Sequence, residues 1–155
     1  MKTTVQGESF DGTFATTCLV GVRRSLAICE ELHSERSMSS LRGARVLVVE
    51  DEAMLSLNLA AILRDLGCVV AGTADKLDDA LRMARTSDFD VALLDVNIGG
   101  KRVDPVTEVI RARGTPIIFV TGYGKTAASG LVLEKPYDAA ALERMLSEAL
   151  GTRRD

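Results

Sequence analysis

The sequence predicts an α/β domain: a doubly wound parallel sheet of five strands, covered by helices on both faces. Three observations predict it. Strand-sized apolar runs alternate with segments of helical period, the signature of strand-crossover-strand units. The runs are almost unbroken in Val, Ile and Leu, as strands buried on both faces must be. Several of them close on polar residues, and in an open parallel sheet ligands gather at the carboxyl ends of the strands.

The elements follow in order. Arg45–Val49 is the first strand and ends in Glu50-Asp51-Glu52. Leu55, Leu59, Ile62 and Leu66 then recur at one helical face, and Gly67 stops the helix as a left-handed residue would. Val69–Ala74 is the second strand. Asp78–Ala84 is a short helix with acids at its start, where the helix dipole favours them. Val91–Asp95 is the third strand and opens into the loop Asn97-Ile98-Gly99-Gly100. Pro105 suits a first helical turn, Val106, Val109 and Ile110 continue it, and Gly114 ends it. Pro116–Val120 is the fourth strand, ending in Thr121-Gly122. Leu131–Leu133 is the fifth, ending in Glu134-Lys135-Pro136. Asp138 caps a last helix that carries Leu142, Met145, Leu146 and Ala149 on one stripe. The stretch from Gly122 to Gly130 is too short for a full helix, so the fourth crossover is expected to be irregular and mobile. Strand order 2-1-3-4-5 would set the ends of the first and third strands side by side.

Residues 1–40 lack this pattern. They are rich in Thr, Ser and Gly and are expected to form a loosely structured extension. The spacing of Leu19, Val22, Leu26 and Cys29 allows one short amphipathic helix over about residues 19–33. Met38, just before the domain, offers an alternative translation start. His33 stands in this segment without partners and reads as solvated. A net charge of −3 supplies no basic face for nucleic acid and no patch for a membrane surface. No apolar run approaches the roughly 20 residues that span a bilayer, and residues 1–19 make a poor signal peptide. Cys18, Cys29 and Cys68 show neither disulfide nor metal spacing, so reduced thiols in a cytoplasmic protein are expected.

The strand ends carry the chemistry. Glu50 and Asp51 from the first strand would meet Asp95 from the third. Two unit charges 4 Å apart repel by about 4 kcal/mol at an effective dielectric near 20. Three carboxylates in one crevice therefore take up protons or hold a cation. Oxygen ligands of this hardness suit Mg²⁺. Lys135 adds a fixed positive charge and Thr121 a hydroxyl. Such a set is equipped to accept a phosphoryl group on a carboxylate. Each member alone has a blander reading, as a helix-terminal charge or a solvated side chain; four such strand ends in one α/β chain do not.

With these residues on view, the stretch from about Gly43 to Gly151 resembles a bacterial response-regulator receiver domain. The resemblance rests on Val46-Leu47-Val48-Val49-Glu50-Asp51-Glu52, on Leu93-Leu94-Asp95-Val96-Asn97, on Thr121, and on Glu134-Lys135-Pro136-Tyr137. It implies a flavodoxin-like fold and phosphorylation of Asp95 by a sensor histidine kinase. It further implies Mg²⁺ held by Glu50, Asp51, Asp95 and the backbone carbonyl of Asn97, Lys135 paired with the phosphate, and Thr121 reporting on it. The bond before Pro136 is cis in such domains. Phe119-Val120-Thr121-Gly122-Tyr123 is similar to the signature of the FAT GUY receivers, with Val120 in place of the usual alanine. That subgroup has a loosened fourth helix and is often served by HWE-type kinases. Two departures stand out. Val132 occupies the place of the usual switch aromatic, which leaves Tyr123 to take over that role. Glu50 replaces the commoner aspartate but keeps its charge.

The resulting expectation is a phosphoacceptor without an output domain, since only residues 152–155 follow the last helix as a tail. Its output would pass through a downstream protein or phosphotransfer partner, or it would drain a kinase as a phosphate sink. Ala53, Met54, Lys135, Pro136 and Tyr137 are expected to form the partner surface, with no direct binding of nucleic acid or membrane. One alternative is a small aspartate-nucleophile phosphatase. Such enzymes usually place a second Asp two residues after the nucleophile, where this chain has Asn97, and no cap domain is evident. The other is a degenerate receiver that works by binding alone.

Overall fold

The computed structural model describes residues 41–122 and 130–151. The expected extension over 1–40, with Cys18, Cys29, His33, Met38 and the candidate helix, lies outside them. So do Tyr123, the middle of the fourth crossover and the 152–155 tail.

The element order is β1 (Arg45–Val49), α1 (Ala53–Asp65), β2 (Val69–Ala74), α2 (Leu77–Thr86), β3 (Val91–Asp95), β4 (Asn97–Ile98), β5 (Lys101–Arg102), α3 (Asp104–Ala112), β6 (Ile117–Thr121), β7 (Leu131–Glu134) and α4 (Ala139–Gly151). The five longer strands form a parallel sheet in the order β2-β1-β3-β6-β7. This is the expected 2-1-3-4-5 order, with β6 and β7 as its fourth and fifth members.

Alternation along each strand sorts the core into two layers. Val46 and Val48 of β1 face one side with Leu93, Ile118 and Leu133, and pack on Leu59 and Leu63 of α1 and Leu142, Leu146 and Ala149 of α4. Leu47 and Val49 face the other side with Ala92, Leu94 and Phe119, against Ala80 and Ala84 of α2 and Val106 and Ile110 of α3. Each large aliphatic side chain so covered contributes about 1.5–3 kcal/mol. The helices therefore follow from the sheet: each must hide an apolar stripe, and each crossover supplies the cover for one strand pair.

The face of α1 extends beyond the expected residues, three of which (Leu59, Ile62 and Leu66) do meet the α1–α4 layer, and the loop after β3 differs from the expectation. The fully buried stripe of α1 is Leu59, Ala60 and Leu63, whereas Leu55, Ile62 and Leu66 are half-buried. This helix is leucine-rich around its circumference, so composition leaves the buried face undecided and the sheet selects it. The loop after Asp95 is also more ordered than expected. Asn97–Ile98 pairs antiparallel with Lys101–Arg102, closing a hairpin anchored by the buried Ile98. Its turn, Gly99-Gly100, holds both residues at positive φ (57° and 77°), the backbone that two-residue hairpin loops favour and that glycine adopts without strain.

Helix ends are closed by local chemistry. Gly67 at φ 81° follows α1. The Ala141 amide donates to Asp138 Oδ1 at 2.7 Å, capping α4. The Arg113 guanidinium lies 4.8 Å over the Phe89 ring and donates to the carbonyls of Ala84 and Ser87, which ties the end of α3 to the end of α2.

Candidate functional site

The β1–β3 register pairs Val49 with Leu94, so Glu50 and Asp95 emerge together one step beyond, at the carboxyl edge. On the other side of β3, Asp95 pairs with Val120, and β6 pairs Thr121 with Glu134 of β7. Lys135 follows directly, and its amide donates to the Thr121 carbonyl at 2.8 Å. Parallel pairing thus delivers residues from four strands to one rim.

One carboxylate oxygen each of Glu50, Asp51 and Asp95 lies within 4.8 Å of the others. Glu50 is buried, Asp95 half-buried and Asp51 exposed, so the group grades from interior to solvent. Lys135 Nζ donates to Glu50 Oε2 at 2.8 Å and to Asp95 Oδ2 at 2.7 Å. Burial alone would lower the Lys135 pKa, but its hydrogen bonds to Asp95 and Glu50 and their charges outweigh that effect and raise it. Lys135 stays a cation and offsets one of the three negative charges, leaving a charge balance that suits a divalent cation. The donor set is all hard oxygen, half open to water, as Mg²⁺ requires. The residues present therefore fit that ion.

Backbone amides complete the cradle. The Asn97 amide donates to Asp95 Oδ1 at 3.0 Å and the Glu52 amide to Glu50 Oε1 at 3.3 Å. The Gly99 amide, at the tip of the β4–β5 turn, donates to Asp51 Oδ2 at 2.8 Å. Nothing in the sequence reading anticipated this last contact. The Gly-Gly doublet between Asn97-Ile98 and Lys101-Arg102 was its only signal.

Each remaining candidate has a definite place. Thr121 is buried at the end of β6. The Lys135–Pro136 bond is cis, and Pro136 is exposed beside the pocket. Tyr137 is half-buried against the α1–α4 layer; burial raises its phenol pKa, with Lys135 opposing and the Glu50 and Asp95 charges adding to the rise. Val132 stands opposite Phe119 and packs into the α2–α3 layer. Ala53 and Met54 are exposed at the start of α1, and Met54 and Leu57 keep 72% and 66% of their surface in solvent. Tyr123 lies outside the described residues.

Comparison with known proteins agrees with this arrangement. Residues 46–147 match the family model described as response regulator receiver domain. The chain is similar to the phyllosphere-induced regulator PhyR of Methylorubrum extorquens, 26% identical over 124 residues, which cover 74% of this chain and 46% of that protein. It thus spans about half the length of that relative. Among solved structures, SdrG from Sphingomonas melonis is 32% identical with a TM-score of 0.62, covering 70% of this chain and 97% of that one. The receiver domain of PhyR from Erythrobacter litoralis is 26% identical with a TM-score of 0.63, covering 71% of this chain and 92% of that one.

Proposed function

This chain belongs to the response regulator receiver family, and from that premise we propose that Asp95 is its phosphoacceptor, loaded by a sensor histidine kinase in a Mg²⁺-dependent transfer. Receiver domains typically bind Mg²⁺ and are generally phosphoacceptors rather than enzymes. The observation that carries the reading is the pocket itself: Lys135 reaching both Glu50 and Asp95, with Asp51 alongside.

In this reading Glu50, Asp51, Asp95 and the backbone carbonyl of Asn97 would hold the ion. When bound, Mg²⁺ neutralises charge on the transferring phosphoryl oxygens. An Asp95 carboxylate oxygen attacks the phosphorus of the kinase phosphohistidine. The P–O bond forms as the P–N bond breaks, and the imidazole nitrogen leaves with the bonding electron pair. The Asn97 amide orients Asp95 through its Oδ1, and Lys135 transfers its hydrogen bond from the carboxylate to a phosphoryl oxygen. Thr121 donates its hydroxyl to another phosphoryl oxygen, so that phosphorylation is felt along β6.

Assignment to the FAT GUY subgroup rests on Phe119–Tyr123, and with it goes an HWE-type kinase. With valine at 132, switching cannot proceed by rotation of a ring at that position; Tyr123 is the candidate replacement. The partner surface is formed by the outer face of α1, with Ala53, Met54 and Leu57 in solvent, and by Pro136 and Tyr137. Output then passes to a downstream protein or phosphotransfer partner, or the chain serves as a phosphate sink, in the cytoplasm. Among the described residues no helix is long and apolar enough to cross a membrane.

The test is phosphotransfer from an autophosphorylated kinase, or from a small-molecule phosphodonor, in MgCl₂. The wild type is expected to take up one phosphate per chain and Asp95→Asn none. Label retained by Asp95→Asn refutes the assignment, and multiple turnover of a phosphate ester points to a phosphatase instead.

A further inference from the structure

Beyond Asn97 at its start, the β4–β5 hairpin takes no part in the chemistry above, yet its tip touches the pocket. Gly99 donates its amide to Asp51 Oδ2 at 2.8 Å across 48 residues of sequence. Asp51 is the exposed member of the acidic group and sits on the bend after β1, with no side chain of opposite charge paired to it among the described residues. The amide is held there firmly. Ile98, next to it, is 2% exposed in the α2–α3 layer, and Val103 donates its amide back to Val96 at 3.1 Å, closing the base of the hairpin. Gly99 and Gly100 both lie at positive φ, and the turn they form presents the Gly99 N–H to Asp51.

We infer that the Gly99 amide is a positioning group for the metal ligand Asp51, and that the hairpin exists to present it. This rests on the metal reading proposed above. A fixed donor on Oδ2 restrains the Asp51 carboxylate, one oxygen of which lies within 4.8 Å of those of Glu50 and Asp95. Groups that orient a ligand in this way typically govern metal affinity by about tenfold to a hundredfold. The contact also has a definite sign. A bond that orients Asp51 is reinforced by the cation, because the two select the same carboxylate conformer; a bond that competes for Asp51 is broken by it.

A Cβ added at Gly99 meets no atom within 4 Å, so substitution acts through the backbone alone. At φ 57° a β-branched residue is strained, whereas asparagine tolerates the left-handed region. The experiment is calorimetric titration of the full-length protein with MgCl₂, comparing wild type, Gly99→Val and Gly99→Asn. Gly99→Val is expected to weaken Mg²⁺ binding about tenfold or more, with circular dichroism unchanged, and Gly99→Asn to bind within about twofold of wild type. A folded Gly99→Val that binds like wild type overturns the inference, as does equal weakening in both variants. A second measurement needs no variant: by NMR, exchange of the wild-type Gly99 amide proton with water is expected to slow when Mg²⁺ is added. Faster or unchanged exchange overturns the inference while leaving the metal reading intact. Failure of the wild type to bind Mg²⁺ overturns both.

Discussion

Val48, Leu93 and Ile118 lie at the middle of three adjacent strands and are buried in the hydrocarbon layer under α1 and α4. Two or three residues further along the same strands, Glu50, Asp95 and Thr121 meet at a rim where charges of one sign are crowded together. The layers and the rim are made by the same backbone under opposite rules. In the layers every neighbour reduces the contact of apolar surface with water. At the rim the carboxylates raise the energy of the fold and are tolerated because Lys135 and the amides of Asn97 and Gly99 partly compensate them. Stability resides below and reactivity above, the usual division where a site needs groups that the fold would do better without.

The comparison can be broken at four points, beginning with the largest effect. Leu63→Ala removes a fully buried side chain and is expected to cost about 2–5 kcal/mol, read as a lower urea midpoint. The same truncation at Leu57, which is 66% exposed on the same helix, is expected to cost less than about 0.5 kcal/mol. Comparable losses at both would mean that the outer face of α1 is covered in solution.

Lys135→Met is next. It keeps an unbranched stem but strips the buried Glu50 of its cation, and is expected to cost about 1–3 kcal/mol in metal-free buffer. Added MgCl₂ should restore part of that loss, since a divalent ion replaces the missing charge. A variant as stable as wild type without metal would show that the carboxylates do not strain the fold.

Asp51→Asn tests the opposite sign. Removing one of the crowded charges is expected to stabilise the fold by about 0.5–1 kcal/mol in metal-free buffer, read as a higher melting temperature, and to abolish any stabilisation by Mg²⁺. Destabilisation would place Asp51 among the structural residues.

The smallest effect is a dependence on alkaline pH. Burial pushes the Cys68 thiol up from the ordinary value near 9 to about 11. The folded state therefore holds this proton when the unfolded chain has released it. Its contribution to stability is complete below pH 9 and is lost as pH rises through 11. The raised Lys135 pKa acts in the same direction, its contribution being complete below the unfolded lysine value of about 10.4. The urea midpoint should be level from pH 7 to 9 and fall above it, more shallowly in Cys68→Ala. An unchanged slope in that variant would remove the thiol from the account.

The sequence was most legible where one physical rule acts alone. Unbroken aliphatic runs mark strands buried on both faces, and Pro105, Gly67, Gly114 and Asp138 mark helix ends through their own backbone chemistry. It was least legible where rules compete. On α1, leucines at 55, 57, 59 and 63 offer several apolar stripes, and only contact with β1 and its neighbours selected Leu59 and Leu63. The two-residue strands β4 and β5 are too short for any periodicity to show, and Lys101-Arg102 has no apolar member.

By itself, then, the sequence determined the alternation of strands and helices, the residues at the strand ends and hence the kind of chemistry the rim can host. These depend on local preference and on the burial of apolar surface, both of which are written residue by residue. Only the tertiary structure decided which face of α1 is buried, that the loop after Asp95 closes into a hairpin, and that Gly99 donates to Asp51. The physical reason is range: a hydrogen bond between residues 48 apart leaves no periodic trace in the chain, and it exists only once the parallel sheet has set the ends of β1 and β3 side by side.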